Sequence, residues 1–364
     1  MRRISPFIKI SRASRLFSRL PAMLLAIASA ALVPSNGNAA EAVIVRVGIT
    51  DSSSDAPLFI ADKKGYFKQE GLNVTLTSFD SAAKMVAPLG AGQLDVGAGA
   101  PAAGFYNAVA RGIDIKIVAD KSSSSPGYGY SPLLVRKDLV DSGKVKSLKD
   151  LKGLKVASPA VGTPPEAILN EALKKGGLKF SDVDLVHMGF PQHVLALQNK
   201  AIDASVTTEP SATKAVQSGA AVRFQNNDVI YPNHQIAVLI YGGKFIKDNP
   251  DTAKKFMRAY IKAVRDYNDA LKDGKLAGPN ADEIIGILTE YTSIKDPNVY
   301  KTIVPHGCNP DGKVNEASLM KDFEFYKSRR LIEGNVTVEQ AIDNSFADAV
   351  VKELGPYKPK GGKS

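Results

Sequence analysis

Cysteine and tryptophan are almost missing from this 364-residue sequence, which has one cysteine, Cys308, and no tryptophan. A single thiol excludes an internal disulfide and a metal site built on a cysteine cluster. A strong charge imbalance is missing as well. The formal net charge is +10, but residues 1–40 carry six basic residues and no acidic one, which leaves 41 basic against 37 acidic residues. This excess is too small and too scattered to indicate nucleic-acid binding.

The sequence also has no apolar run long enough for a stable membrane span. The run Ala22–Val33 has roughly a dozen residues, against about 20 for a transmembrane helix. It follows a basic region that ends near Arg19, and small residues and helix breakers, PSNGNAA, come after it. This order predicts a secretory signal cleaved after Ala39 or Ala40, and hence a periplasmic protein. An uncleaved signal anchor is the alternative, and Arg2–Arg3 leaves Sec and twin-arginine export both open.

Enzyme signatures are missing too. There is no G-x-S-x-G elbow, no P-loop and no H-E-x-x-H motif, and Gly97-Ala-Gly99 lacks the third glycine of a dinucleotide fingerprint. His187 and His193 are close in sequence, but they lack helical i, i+4 spacing and a carboxylate partner is not evident. The sequence therefore predicts a protein that is not an enzyme and that holds no cofactor and no metal.

The most informative stretch that is present is LKVASPAVGTPPEAILNEALKK, at 154–175. Its first residues predict a strand, and Thr163 predicts a helix N-cap with Pro164 at the first helical position. Glu166 stands three residues after Thr163, which predicts a capping box, and Gly176 marks the helix end. Open α/β sheets form ligand pockets where such a strand leads through a loop into a helix N-terminus.

The same alternation of strands and helices runs along the chain and predicts an α/β protein with mostly parallel sheets flanked by helices. Strands are predicted at 43–49, 72–77, 92–99, 113–119, 133–136, 154–157, 184–188, 201–206, 221–224 and 236–241. The main helices are predicted at 55–65, 81–89, 101–110, 164–175, 191–199, 210–218, 249–267, 281–291, 315–329 and 337–352.

Two irregular stretches interrupt this alternation, KSSSSPGYGY at 121–130 and a second one at 225–235. We interpret them as the places where the chain crosses into a second lobe and returns, which predicts a two-strand hinge. The expected organisation is a signal peptide at 1–40, a discontinuous first lobe at 41–131 and 233–355, a second lobe at 132–232, and a disordered tail at 356–364.

Five segments in order resemble one family: VRVGITDSSSDAPLFIADKKGYFKQEGLNV, GQLDVGAGAPAA, LKDLKGLKVASPAVGT, KAIDASVTTEP and FIKDNPDTAKKFMRAYIKA. They resemble the periplasmic solute-binding proteins of nitrate, sulfonate, taurine and thiamine-pyrimidine ABC importers. The resemblance implies a two-lobed type II periplasmic binding fold that closes over a ligand in the cleft. It also implies a monomer that delivers its ligand to a membrane permease and its ATPase.

The candidate ligand-binding residues lie mostly in loops that follow the predicted strands. Short polar side chains follow the first strand, where helix capping is the alternative role. The resemblance implies that the loops around Gly99 and Gly162 face the ligand. Glu209 could pair with a ligand amine or complement a helix dipole, and Tyr128 could stack on a ligand ring or pack in the hinge. The full set is Asp51, Ser52, Ser53, Ser54, Ser81, Gly99, Ala100, Pro101, Tyr128, Val161, Gly162, Thr163, Thr207, Thr208, Glu209, His234 and Gln235.

The ligand itself stays open between sulfonates such as taurine, nitrate-like anions, aminopyrimidines and aromatic carboxylates. Pro164 and Pro165 remove two N–H donors from the first turn of the helix that should hold an anion, and Glu166 adds negative charge there. We therefore expect a poor anion site at this helix. Two other functions compete with import. One is a thiamine-pyrimidine synthase of the same fold, whose cysteine-rich motif this chain lacks, and the other is a ligand sensor for a signalling receptor.

Overall fold

The computed structural model describes residues 42–360, so the predicted signal peptide lies outside the described residues. The strands are β1 Val43–Ile49, β2 Leu72–Ser78, β3 Val96–Gly99, β4 Ile115–Ser123, β5 Leu133–Arg136, β6 Lys155–Ser158, β7 Asp184–His187, β8 Ala204–Val206, β9 Ala221–Gln225, β10 Gln235–Gly242, β11 Leu271–Lys272 and β12 Lys275–Leu276. No helix within 42–360 has the length and apolar character that crossing a membrane would require.

The helices fall between and after these strands. They are α1 Ala56–Lys63, α2 Tyr66–Gln69, α3 Ala82–Ala91, α4 Ala103–Ala110, α5 Lys137–Asp141, α6 Pro164–Lys175, α7 Phe190–Gln198, α8 Ser211–Gln217, α9 Asn227–Ile230, α10 Gly243–Asp248, α11 Pro250–Asp269, α12 Ala281–Tyr291, α13 Pro297–Thr302, α14 Glu316–Ser328, α15 Val338–Ala341 and α16 Ser345–Leu354. Most predicted elements therefore form, with boundaries shifted by a few residues.

Two five-stranded sheets form the framework, which confirms the mostly parallel α/β fold. The first has the order β2-β1-β3-β10-β4 and the second the order β7-β6-β8-β5-β9. In the first sheet β1 runs parallel to β2 and β3, whereas β10 is antiparallel to its neighbours. In the second, β6 runs parallel to β7 and β8, whereas β5 is antiparallel to its neighbours. Each sheet thus has four parallel strands and one internal antiparallel strand.

The antiparallel strand in each sheet is the first one that the chain enters after crossing between the sheets. The chain leaves the first sheet at the carboxyl end of β4 and enters the second with β5, and it returns from β9 to β10. A short connection between the facing ends of two sheets enters the second sheet at the edge where its parallel strands end. The first strand there therefore runs antiparallel to the others. The division of these sheets between two hinged lobes stays a prediction.

The long helix α11 anchors the core beside the first sheet. Its predicted apolar face is buried, with Phe256, Tyr260 and Tyr267 at 0–1% exposure. Phe256 stacks on Phe67 of α2 with ring centroids 5.0 Å apart. Four basic residues on the other face, Lys254, Arg258, Lys262 and Arg265, are in ion pairs, such as Arg258 with Glu70 at 2.6 Å. The 3.6-residue period of the apolar positions therefore places this helix correctly.

The prediction of one helix over 337–352 is wrong, because the segment divides into α15 and α16. Ile342 is extended and forms a parallel bridge with Ile117 of β4, and the Asp343 N–H donates to the Ile117 carbonyl at 2.8 Å. This tertiary contact replaces the helical hydrogen bonds that sequence periodicity alone would favour. Farther on, Tyr357 donates to Asp269 at 2.8 Å, so part of the tail lies against α11, while 361–364 are outside the described residues.

Candidate functional site

Loops from the two sheets meet at the carboxyl ends of their parallel strands. The Ala103 N–H, just after β3, donates to the carbonyl of Gly162, in the loop after β6, at 2.9 Å. A Cβ placed on Gly162 would lie 2.8 Å from the Cβ of Ala103. The carboxyl edges of the two sheets therefore face each other, and we call the region between their loops the cleft.

The predicted polar loop after β1 is compact. The hydroxyls of Ser52 and Ser54 are 2.8 Å apart, and the Asp55 carboxylate accepts the Ser52 N–H at 2.9 Å. Ser53 is half-buried, and Asp51 is exposed with a φ of 52°. A non-glycine residue in this left-handed region is uncommon and is often found at functional sites. The loop is thus held in one conformation, and its contact with a ligand stays a prediction.

Ser81 and the loop Gly99-Ala100-Pro101 lie at the same edge of the first sheet. Ser81 precedes α3, is exposed, and makes no capping hydrogen bond with its side chain. A Cβ on Gly99 would lie 2.5 Å from the Cβ of Ala82. The close approach of α3 therefore explains why a glycine stands at position 99. A role for this loop in ligand binding stays a prediction.

A buried ion pair lies beneath these loops, and sequence analysis did not find it. Lys121 Nζ on β4 lies 2.6 Å from a carboxylate oxygen of Asp55, and the two side chains are 1% and 0% exposed. The sequence KSSSS appears irregular because its residues are polar, yet β4 continues through Ser123 and is buried there. The useful signal was a lysine directly continuing the apolar strand IKIVAD, since an unpaired charge is too costly to bury.

Two aromatic residues and a histidine form a buried cluster at the end of β4, where Ser123 pairs with Gly307. Tyr130 accepts a hydrogen bond from Ser122 Oγ at 2.6 Å and meets the His306 ring edge-on at 5.7 Å between centroids. His306 stacks on Tyr267 at 4.5 Å, and its Nδ1 lies 2.9 Å from the Tyr267 hydroxyl. Its Nε2 is buried without a hydrogen-bond partner in the described residues. Burial, and then the charge of Lys121, lowers the pKa of His306 to about 3, so the ring is neutral.

The predicted capping box of α6 is wrong. The Thr163 hydroxyl donates to the Ala160 carbonyl at 2.8 Å, and the Glu166 carboxylate accepts the Gly162 N–H at 2.8 Å instead of bonding to Thr163. Glu166 is 0% exposed and also binds the Arg329 guanidinium at the end of α14. The nearby Gly162 N–H and the distant Arg329 guanidinium thus take the place of the capping contact with Thr163. Gly162 is buried in this loop, whereas the Val161 side chain at its tip is 52% exposed.

His187 is the third partner of Glu166, which corrects the expectation that it has no carboxylate partner. Its Nε2 donates to a Glu166 oxygen at 2.7 Å. No group of three or more histidine, cysteine, aspartate or glutamate side chains within 42–360 could hold a metal ion.

The loop after β8 brings Thr207, Thr208 and Glu209 together, but their side chains already have protein partners. The Thr207 hydroxyl lies 2.8 Å from His193 Nδ1, and the Thr208 hydroxyl lies 2.6 Å from that of Ser131. Glu209 accepts the Thr213 N–H in the first turn of α8 at 2.9 Å and binds the Arg223 guanidinium. These contacts favour the helix-dipole role for Glu209 over a pair with a ligand amine.

The three predicted residues at the crossings are engaged by other elements. Tyr128 is half-buried, and its neighbour Gly127 lies against the β11–β12 hairpin, where a Cβ on Gly274 would be 2.7 Å from the Gly127 carbonyl oxygen, which favours hinge packing. His234 Nε2 lies 2.7 Å from Asp322 on α14. Gln235 donates to Asp120 at 2.6 Å, and both His234 and Gln235 are 0% exposed. Their contacts thus join β10 and its approach to neighbouring elements.

His193 is expected to make the protein less stable in mild acid. Its Nε2 donates to the Met188 carbonyl at 2.9 Å, and burial lowers its pKa from 6.5 to about 4. Below pH 6.5 the unfolded chain therefore binds a proton that the folded chain excludes, so stability falls as the pH falls. Between pH 6.5 and 5 this histidine alone should lower the free energy of unfolding by about 1.5 kcal/mol.

Urea denaturation of the wild type and His193→Gln at both pH values measures this effect. The variant should lose about 1.5 kcal/mol less than the wild type over the interval, whatever its stability at pH 6.5. Equal losses in the two proteins would show that His193 titrates normally.

Comparison with known proteins agrees with this architecture. The chain is 25% identical over 229 residues to the taurine-binding periplasmic protein of Escherichia coli (strain K12), over 63% of this chain and 68% of that protein. It is 29% identical over 231 residues to the 4-amino-5-hydroxymethyl-2-methylpyrimidine phosphate synthase of Aspergillus parasiticus, over 58% and 62% of the two chains.

Among solved structures, the periplasmic aliphatic sulphonate binding protein SsuA of Escherichia coli is similar with a TM-score of 0.66 and 18% identity, over 88% of this chain and 94% of that one. This likeness shows the periplasmic binding protein fold. The model of the NMT1-like family matches residues 38–277. The chain therefore belongs to the NMT1-like family.

Proposed function

We propose that this protein is the solute-binding component of an ABC importer and captures a small polar organic solute in the cleft. The main support for the proposal is the contact between Ala103 and Gly162, which brings together the carboxyl edges of two sheets of mostly parallel strands. Ligands of open α/β sheets bind outside the carboxyl ends of the strands. Two chain crossings at this edge would allow the sheets to close over a solute by a hinge motion.

Similarity to binding proteins supports the same proposal. Relatives and solved neighbours of this chain include proteins named for binding taurine and sulphonate in the periplasm. By this analogy the exported protein works in the periplasm as a monomer and passes its ligand to a permease and ATPase complex. Candidate ligands are taurine and other sulfonates, nitrate-like anions, aminopyrimidines and aromatic carboxylates.

A ligand-stabilisation screen tests this function. We expect at least one of taurine, ethanesulfonate, nitrate, 4-aminopyrimidine, benzoate or benzamide to raise the free energy of unfolding. The gain should be about 2.7 kcal/mol at a concentration 100-fold above the dissociation constant, because the ligand binds only the folded chain. Thermal unfolding with and without each compound measures the gain.

A matched pair of variants locates the binding. Ala100→Trp, in the loop after β3, should remove the stabilisation because its indole would fill the cleft. Ala317→Trp, at an exposed position of α14, should retain it. The proposal fails if every compound leaves the wild type unchanged, or if both variants respond like the wild type.

A pyrimidine synthase activity is the second candidate, because one relative carries that name. The only cysteine, Cys308, is 3% exposed, and burial raises the pKa of its thiol well above the usual value. An inert buried thiol gives no support to chemistry at this residue. Incubation with a cell extract that supplies precursors, followed by mass spectrometry, separates the two functions, since a synthase releases newly made 4-amino-5-hydroxymethyl-2-methylpyrimidine phosphate whereas a binding protein forms no new pyrimidine.

A further inference from the structure

Lys121 has hydrogen-bonding capacity that the protein does not use. An ammonium group has three N–H donors. Among the residues that the structure describes, Asp55 is the one partner found for the Lys121 ammonium, and the lysine side chain is 1% exposed. A buried ammonium with donors left over is costly unless another acceptor completes its shell.

His306 presents a second unused group close to the first. Its Nε2 is buried and has no hydrogen-bond partner within the described residues. The Tyr267 hydroxyl donates to the His306 carbonyl at 3.0 Å, so His306 Nδ1 donates to that hydroxyl at 2.9 Å and Nε2 keeps a free lone pair. Gly307, the next residue, pairs with Ser123 two residues after Lys121 on β4, and the His306 ring lies edge-on to Tyr130, which is bonded to Ser122. Buried polar atoms in native proteins nearly always have a hydrogen-bond partner. Two incompletely bonded groups in one region therefore indicate that a bound molecule supplies the missing partner.

The usual alternative, the N-terminus of α6, offers few donors in this chain. Pro164 and Pro165 have no N–H, the Gly162 N–H is bonded to Glu166 at 2.8 Å, and the Ala103 N–H is bonded to Gly162. A ligand's acceptor group must therefore find its donors elsewhere in the cleft.

We propose that Lys121 binds the polar acceptor group of the ligand, that His306 Nε2 accepts a hydrogen bond from a donor group of the same ligand, and that Asp55 restricts the site to ligands without net charge. This inference rests on the proposed function. Asp55 already neutralises the ammonium, so a net anion would place two negative charges on one buried lysine. A zwitterion or a neutral amide can instead supply an acceptor oxygen without that cost.

Two matched pairs of compounds test the charge rule. Taurine and ethanesulfonate differ by an ammonium group, and benzamide and benzoate differ by the charge on one polar group. We expect the wild type to bind the uncharged or zwitterionic member of at least one pair at least tenfold more tightly than the anion, as measured by calorimetric titration. Equal or tighter binding of the anions would overturn the inference and leave the proposed function standing.

Three variants test the residues. Asp55→Asn should shift the preference toward the anion by at least tenfold, because Lys121 then keeps an uncompensated charge. The double variant Asp55→Asn/Lys121→Met, which removes both charges together, should lose at least tenfold in affinity for the wild-type ligand. His306→Phe keeps a ring of similar shape without the nitrogen and should lose affinity with little change in melting temperature.

The outcomes distinguish a failure of the roles given to Lys121, His306 and Asp55 from a failure of solute binding itself. If the double variant and His306→Phe bind as the wild type does, the inference is overturned and solute binding stands. If none of the four compounds binds the wild type, the inference is overturned, whereas the proposed function still depends on nitrate and 4-aminopyrimidine in the wider screen. A purely structural role for the ion pair would change stability and leave the ratio of neutral to anionic affinity constant, which also overturns the inference.

Discussion

Replacing Lys121 by methionine is expected to lower the free energy of unfolding by about 3–5 kcal/mol. The substitution leaves the Asp55 carboxylate buried at 0% exposure without its counter-charge, 2.6 Å away in the native protein. Removing one partner of a buried pair is costly because the remaining charge cannot be hydrated. Urea denaturation near pH 7 would measure the loss.

The double variant Asp55→Asn/Lys121→Met is the control for this prediction. It removes both charges, and the amide oxygen of the introduced asparagine can still accept the N–H of Ser52 that Asp55 accepts at 2.9 Å. We therefore expect it to recover at least half of the lost stability, since a buried pair can often be replaced by uncharged groups at little cost. A double variant as unstable as the single one would show that methionine fails by packing rather than by charge.

Glu166→Ala should cost about 3 kcal/mol, the lower end of the range for breaking a buried ion pair, because its partners are partly exposed. Glu166 is 0% exposed, whereas the side chains of Arg329 and His187 are 24% and 32% exposed and can regain water. The substitution also leaves the N–H of Gly162 without its acceptor. The contact of α14 with the loop after β6 depends on this carboxylate, so the loop should loosen as well.

Asp141→Ala is the matched control, since Asp141 pairs with Lys137 one helical turn away and both side chains are about half exposed. Exposed pairs of this kind contribute about 0.5 kcal/mol or less. Chemical denaturation of both variants tests the contrast, and hydrogen exchange at Gly162 reports the loop. Similar small losses in the two proteins would mean that solvent replaces the partners of Glu166.

The sequence was sufficient for elements whose pattern is local. The strand at 43–49 and the helix at 164–175 form with the predicted boundaries. An apolar run determines the strand, and a proline at the first position and a glycine after the last position determine the ends of the helix. The apolar face of α11 follows from the 3.6-residue period alone. The loops after β1, β3 and β6 could likewise be placed at one edge from strand direction.

The side-chain contacts in the site could not be predicted, because their partners are far apart in sequence. Glu166 pairs with Arg329, 163 residues away, and Asp55 pairs with Lys121 across the sheet edge. His234 pairs with Asp322 on α14, which is 88 residues downstream. Local patterns assign such residues to caps and loops. Only the folded structure shows which charged residue is their partner.

The position of β10 has a consequence for how the protein acquires its structure. This strand lies between β3 and β4, so residues 235–242 must insert between two strands made more than a hundred residues earlier. The second sheet, in contrast, is contained within residues 133–225. During synthesis from the N-terminus, the later sheet can therefore be completed while the earlier one still has a gap. The first sheet therefore stays open until translation has passed Gly242.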